Sequence, residues 1–271
     1  MPEPTDMAAL ERSMRAVSAI KQVVHAIWAL SRAQLPLVEQ AATAAVTYQR
    51  WVDATVERLA GAPLPIETER RLTVVFGPER PYSSALARRI VDAIPDGDLG
   101  IVGERLAESV RQSKAIDQRV RFRCAGSVAH DDLHDVALSV ARAILEHGRD
   151  AQVVVMHPTG DGMETTTVPL IVARELVERP PETFSRLDRV VEAAVVEAMT
   201  GRLAVAAAEA LRAEIRARIA AADAARRACE ERLVELESVW HLGRRETITR
   251  ELLEIVAGRE AASSFVGARE V

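Results

Sequence analysis

The sequence predicts an α/β domain of Rossmann-like type bracketed by two long helices that pair as an antiparallel coiled coil. Three observations carry this expectation. Apolar residues recur every three or four positions through the first sixty residues. Short apolar runs then alternate with helical patterns between about Ile66 and Pro181. From Asp188 to Ala262 there is no proline, and the apolar positions step by threes and fours. The segments divide as 1–62 (N-terminal coiled-coil helix), 63–185 (α/β domain) and 186–271 (C-terminal coiled-coil helix).

In the first segment Thr5 or Asp6 is suited to cap a helix, accepting from the free amides of its first turn. Leu10, Met14, Val17, Ile20, Val24, Ile27 and Leu30 fall on one helical face. Pro36 lacks an amide hydrogen and crowds the preceding turn, so a kink is expected there. Helical composition resumes as far as Leu59, and Gly61-Ala-Pro-Leu-Pro65 stops it.

The middle segment reads as strands at Arg71–Phe76, Leu99–Val102, Arg119–Cys124 and Ala151–Met156. Helices are expected near Ser83–Ala93, Glu104–Ser113 and Asp131–Glu146. Thr165–Val172 reads as a fifth strand whose end could equally open a helix. Strands alternating with helices at these spacings call for a largely parallel sheet.

In the last segment Ile215, Ile219, Ala222, Arg226, Cys229, Leu233, Leu236 and Trp240 form a heptad seam with one polar intruder, Arg226. The apolar positions resume out of phase at Ile248, Leu252 and Ile255, with Gly243 inside the skip. Ile219, Leu233, Leu236, Trp240, Ile248, Leu252 and Ile255 are thus the expected packing stripe of the rod. A continuous helix here would be roughly 100 Å long at 1.5 Å per residue, more than a compact domain of this size can bury, so it is expected to project.

Composition narrows the function. Hydrophobic residues make up 48% of the 271 residues but aromatics only 3%, which suits closely packed alanine-rich helices. A net charge of −5, from 35 basic and 40 acidic residues, argues against a dedicated nucleic-acid binder. Arginine supplies the positive charge except at Lys21 and Lys114. Cys124 and Cys229 stand far apart, with neither a disulfide framework nor metal-ligand spacing. The N-terminus does not read as a signal peptide, and no apolar run reaches the length of a membrane span.

Sites of chemistry are sparse. There is no phosphate loop, so the chain is not expected to bind or hydrolyse ATP by itself. Gly97-Asp-Leu-Gly-Ile-Val-Gly103 places its strand between the glycines and fails as a dinucleotide fingerprint. His130 and His134 share a helical face and could begin a metal site. The simpler reading makes Asp131 and Asp132 anions at a helix N-terminus. No catalytic, cofactor or metal residue is assigned. Two function classes stay open on these grounds: a coiled-coil adaptor with a protein-binding α/β domain, and an α/β enzyme with helical arms.

The stretch Ile248-Thr-Arg-Glu-Leu-Leu-Glu-Ile-Val-Ala-Gly258 resembles the C-terminal signature of the gamma subunit of F-type ATP synthases, Arg-Gln-x-x-Ile-Thr-x-Glu-[Leu/Ile]-x-Glu-Ile-Val-x-Gly. Arg244 falls on the family's arginine and Leu236 on a recurrent leucine. Glu214, Ala217 and Arg218 fall on its Glu-x-x-Ala-Arg-Met segment. Met14-Arg-Ala-Val17 and Val23-Val-His-Ala-Ile27 occupy the places of its N-terminal motifs. Departures exist: the family's Asp-Arg-Gly-Leu-Cys-Gly-Gly stretch is Pro78-Glu-Arg-Pro-Tyr-Ser-Ser-Ala85 here. The family's Asn and Gln before Ile-Thr are His241 and Arg245, and its N-terminal Thr and Lys are Ile20 and Gln22. The resemblance therefore implies a divergent branch, such as the laterally transferred second rotary ATPase of some bacteria.

What the resemblance implies is a central-stalk rotor subunit without an active site of its own. It would couple ion translocation mechanically to ATP synthesis or hydrolysis. Its partners would be the alpha and beta subunits of the catalytic hexamer, the epsilon subunit and the membrane c-ring. It would lie at the cytoplasmic face of the inner membrane as a peripheral part of the complex. Arg244, Arg245, Thr249 and Glu251 would meet the catalytic ring.

Overall fold

The computed structural model describes residues 7–60, 70–148, 151–159, 162–168 and 182–267. The element order is α1 (Met7–Ala60), β1 (Arg71–Phe76), α2 (Ser84–Asp92), β2 (Asp98–Val102), α3 (Glu104–Arg111), α4 (Lys114–Asp117), β3 (Val120–Cys124), α5 (Leu133–His147), β4 (Gln152–Thr159), β5 (Gly162–Val168) and α6 (Leu187–Gly267). The expected cap at Thr5 or Asp6 and the Gly61–Pro65 stop lie outside the described residues, as does the part of the fifth strand beyond Val168. Helix α1 continues through Pro36.

The strands form one sheet in the order β3-β2-β1-β4-β5. β1 pairs parallel with both β2 and β4, β2 pairs parallel with β3, and β5 closes the edge antiparallel to β4. Both faces are covered, which is why β1 reads as a nearly unbroken apolar run. Its side chains alternate between the two cores, as a pleated strand requires. Leu72, Val74 and Phe76 join α5, Val38 and Ala42 of α1, and Met199, Leu203 and Ile215 of α6. Val75 points the other way, to α2 and α3 through Ile90, Leu106 and Val110.

The chain divides into two contact units, one of residues 29–221 and one that joins the chain before residue 29 to the chain after residue 221. The boundaries differ from the three segments expected. The inner parts of both long helices belong to the α/β unit because their apolar faces complete its core. Within that unit α1 and α6 run antiparallel, tied by Arg216 to Glu39 at 2.7 Å and Arg202 to Asp53 at 2.9 Å. Ala206, Ala207, Ala208 and Ala210 are buried where α6 meets the core, and their small side chains permit close approach.

In the other unit residues 7–28 of α1 also run antiparallel to α6. Lys21 pairs with Glu230 at 3.1 Å, and the Trp240 indole donates to Glu11 at 3.4 Å. The wide stripe expected on α1 is narrower in the structure. Val24 is buried here whereas Ile20 is exposed; within the α/β unit Val38 is buried and Leu30 exposed. Two paired helices share a seam with a 3.5-residue period, and only positions on that seam are covered.

Candidate functional site

Two places on this chain concentrate polar chemistry, and they lie in different units. In the α/β unit the strand order reverses between β1 and β4. In open α/β sheets ligands bind in the crevice outside the carboxyl ends of the strands at such a switch point. Beside it, the chain beyond β1, β2 and β3 is held by the protein's own carboxylates.

Glu214 of α6 is 1% exposed, and its carboxylate accepts the backbone N–H groups of Glu79 at 2.7 Å and Arg80 at 3.3 Å, just beyond β1. The Arg218 guanidinium lies 3.9 Å away on the same helix. Burial pushes the Glu214 carboxyl up to about 7, against the lowering effects of the Glu79 amide, Arg218 and Arg80. Burial likewise lowers the Arg218 pKa, with Glu214 opposing the shift.

Glu79 supplies a second carboxylate at the same edge. Its Oε2 accepts the N–H of Glu104 at 2.8 Å, where α3 begins, and that of Gly126 at 2.7 Å after β3. A helix N-terminus at the end of a strand is where a nucleotide phosphate would dock in a related architecture. Here the protein's own carboxylates fill that role. An open cleft of about 680 Å³ remains between Tyr82–Leu86, Pro158 and α6. Two of its cations are already engaged, Arg212 with Glu209 and Arg216 with Glu39.

The second place is the end of α6. Arg244 lies over the Trp240 ring, 5.0 Å from its centroid, a cation–π arrangement. Arg245 and Glu251 are exposed, and the Thr249 hydroxyl donates back to the Arg245 carbonyl at 2.9 Å. Leu236 is buried, and Ile219, Leu233 and Trp240 are half-buried. Ile248, Leu252 and Ile255, expected in the packed stripe, are instead 47%, 57% and 67% exposed. The reason is geometric. Among the described residues α1 meets α6 as far out as Glu11 with Trp240, and Ile248, Leu252 and Ile255 lie beyond it on α6.

His130 and His134 are not joined by enough ligands to hold a metal: no group of three His, Cys, Asp or Glu side chains with that capacity occurs among the described residues. Asp132 Oδ2 accepts the N–H of Val128 at 2.8 Å and of Ala129 at 3.3 Å, so it orders the loop before α5. Among the described residues no helix is long and apolar enough to cross a membrane. The Glu214 and Glu79 clamps were not anticipated. In the sequence Glu214 stood out only through its place in the Glu214-x-x-Ala217-Arg218 motif.

A family model described as ATP synthase matches residues 6–262. The rotor of the Euglena gracilis mitochondrial ATP synthase in rotational state 1 superposes with a TM-score of 0.66 at 14% identity, covering 89% of this chain and 98% of that one. A chain of the same enzyme in rotational state 3 gives 0.68 at 15% identity, covering 94% of each. A central-stalk/c-ring structure of the Tetrahymena thermophila mitochondrial ATP synthase gives 0.50 at 12% identity, covering 75% of this chain and 99% of that one. No curated protein sequence matches. The family match over nearly the whole length sets aside the adaptor reading. The chain belongs to the gamma-subunit family of ATP synthases and has the central-stalk role.

Proposed function

We propose that this subunit turns inside a ring of alpha and beta subunits, carrying torque between a membrane c-ring and the catalytic sites. The α/β unit is the foot that meets the c-ring and the epsilon subunit. The end of α6 is the part that the ring surrounds. The complex sits at the cytoplasmic face of the inner membrane, with this chain peripheral to the bilayer.

The observation that carries this reading is the uncovered end of α6. Leu252, Leu253, Ile255 and Val256 are more than half exposed, beside the exposed Arg244 and Arg245. A surface helix that keeps apolar residues around much of its circumference needs a surrounding partner. A collar of apolar loops with acidic residues would cover the stripe and pair with the arginines. Thr249 and Glu251 lie on the same stretch and are assigned to the same contact.

Reversing both arginines (Arg244→Glu with Arg245→Glu) tests the assignment. Both side chains are exposed, so α6 stays folded. ATP-driven ion pumping divided by ATP hydrolysis, measured in membrane vesicles, is expected to fall several-fold. An unchanged ratio in a fully assembled enzyme would show that the ring contact lies elsewhere.

A further inference from the structure

We infer that the open cleft at the carboxyl edge of the sheet binds a small phosphate ester carrying a planar ring, the class to which nucleoside monophosphates belong. The cleft holds about 680 Å³ and is lined by Tyr82–Leu86, which follow β1, by Pro158 near the end of β4, and by α6. It therefore opens where the strand order reverses, between β1 and β4. Its volume is in the range of small-molecule sites, and a switch point is where open α/β sheets take their ligands.

The lining divides by chemistry. Leu86, Pro158, Ala217 and Ala220 supply apolar surface with few long side chains, against which a flat ring can lie. Tyr82 lines the same cleft and is 55% exposed, so its ring can stack on another. The charged lining is Arg89, Arg212 and Arg216, against the one carboxylate of Glu209. Three cations to one anion select an anionic ligand. Arg212 and Arg216 stand one helical turn apart on the same face of α6. Each meets its own carboxylate, Glu209 or Glu39, through Nη2. A guanidinium carries further donors in a planar fork, so each can hold a phosphate oxygen and keep its ion pair. The arginines thus fix the phosphate, and the apolar floor with Tyr82 fixes the ring.

Tyr82 adds a separate observation. Among the described residues it alone, glycines aside, has a positive φ, of +68°. Glycine adopts that backbone freely, whereas a side chain there costs stability and calls for a functional reason. The ring it places at the cleft is that reason. The step is binding alone, with no bond made or broken, and it holds whether or not the subunit turns. A bound ligand touches both the loop after β1 and α6, so it braces the sheet against the long helix.

Isothermal titration of the full-length chain with AMP tests the site. Wild type is expected to bind one AMP saturably, and adenosine or inorganic phosphate about tenfold more weakly. Arg216 and Ala220 are exposed, so their variants fold. Arg216→Gln is expected to weaken AMP binding about tenfold, and Ala220→Trp, which fills the floor, to abolish it. Tyr82→Gly is expected to bind several-fold more weakly while melting no lower than wild type, because glycine relieves the backbone strain. Absence of saturable AMP binding by wild type overturns the proposal. So does wild-type affinity in either Arg216→Gln or Ala220→Trp, which would put the ligand elsewhere. Inorganic phosphate binding as tightly as AMP, or Tyr82→Gly binding as tightly as wild type, overturns the planar ring as part of the ligand.

Discussion

Replacing Gly103 with alanine probes the packing that holds the carboxyl edge of the sheet together. Gly103 sits between β2 and α3 with φ of +114°, a conformation that residues with a Cβ rarely adopt. A Cβ built there would lie 2.6 Å from the Gly77 carbonyl oxygen and 2.8 Å from that of Pro78. Both obstacles are backbone, so no side-chain rotation relieves them. The residue is also tied down on both sides, its N–H donating to Cys124 at 3.0 Å and its carbonyl accepting from Ala107 at 2.9 Å. Strain in that region of backbone space costs about 1–3 kcal/mol. Overpacking against an unyielding neighbour costs about as much again. The expected loss is about 4 kcal/mol, a large share of the stability of a domain this size. Native-state hydrogen exchange of the β1 and β2 amides reads it directly, because the central strands open only with the whole unit. A loss below about 1 kcal/mol would refute the reasoning, since the loop would then be free to move aside.

Two leucines on α6 give a matched test of the second unit. Leu236→Ala removes a buried side chain and is expected to cost about 2–3 kcal/mol, read as a lowered urea midpoint for the tip helices. Leu252→Asp alters a residue that is 57% exposed and is expected to leave the isolated chain within about 0.5 kcal/mol of wild type. The same Leu252→Asp change is expected to abolish stable assembly with the catalytic ring, because the charge would then be covered by apolar surface; pull-down of unaltered ring subunits by this variant would contradict that.

Much of the architecture was legible before any coordinates. The strand Arg71–Phe76 has the same limits in sequence and structure because Gly77 and Pro78 end it with strong local signals. The antiparallel sense of β5 was not legible, since Gly162–Val168 carries no mark of direction apart from its short link to β4. α4 was also missed; its four residues, Lys114–Asp117, are too few for a period to show.

On the long helices, periodicity located the elements and misjudged their partners. Ile20 and Leu30 satisfy the helical spacing as well as Val24 does, yet only Val24 lies on the seam. Which apolar residues are covered depends on where the opposing helix ends, and that is a property of two segments far apart in sequence. Ile248, Leu252 and Ile255 show the same thing at the other end. Their spacing marks an apolar face, yet each of the three stays exposed among the described residues. Glu214 was legible only as part of a family motif. Its role depends on two backbone amides about 135 residues away in sequence, which no local pattern encodes.

The central claim is that this subunit rotates as a shaft, and single-molecule observation tests it most directly. The catalytic ring, assembled with this chain, is fixed to a surface through its alpha and beta subunits, and a probe is attached to the α/β unit through an exposed residue such as Arg88. The account predicts sustained rotation of the probe in one direction when ATP is added, stopping when the ATP is exhausted. A probe that stays still while the same assemblies hydrolyse ATP would contradict it.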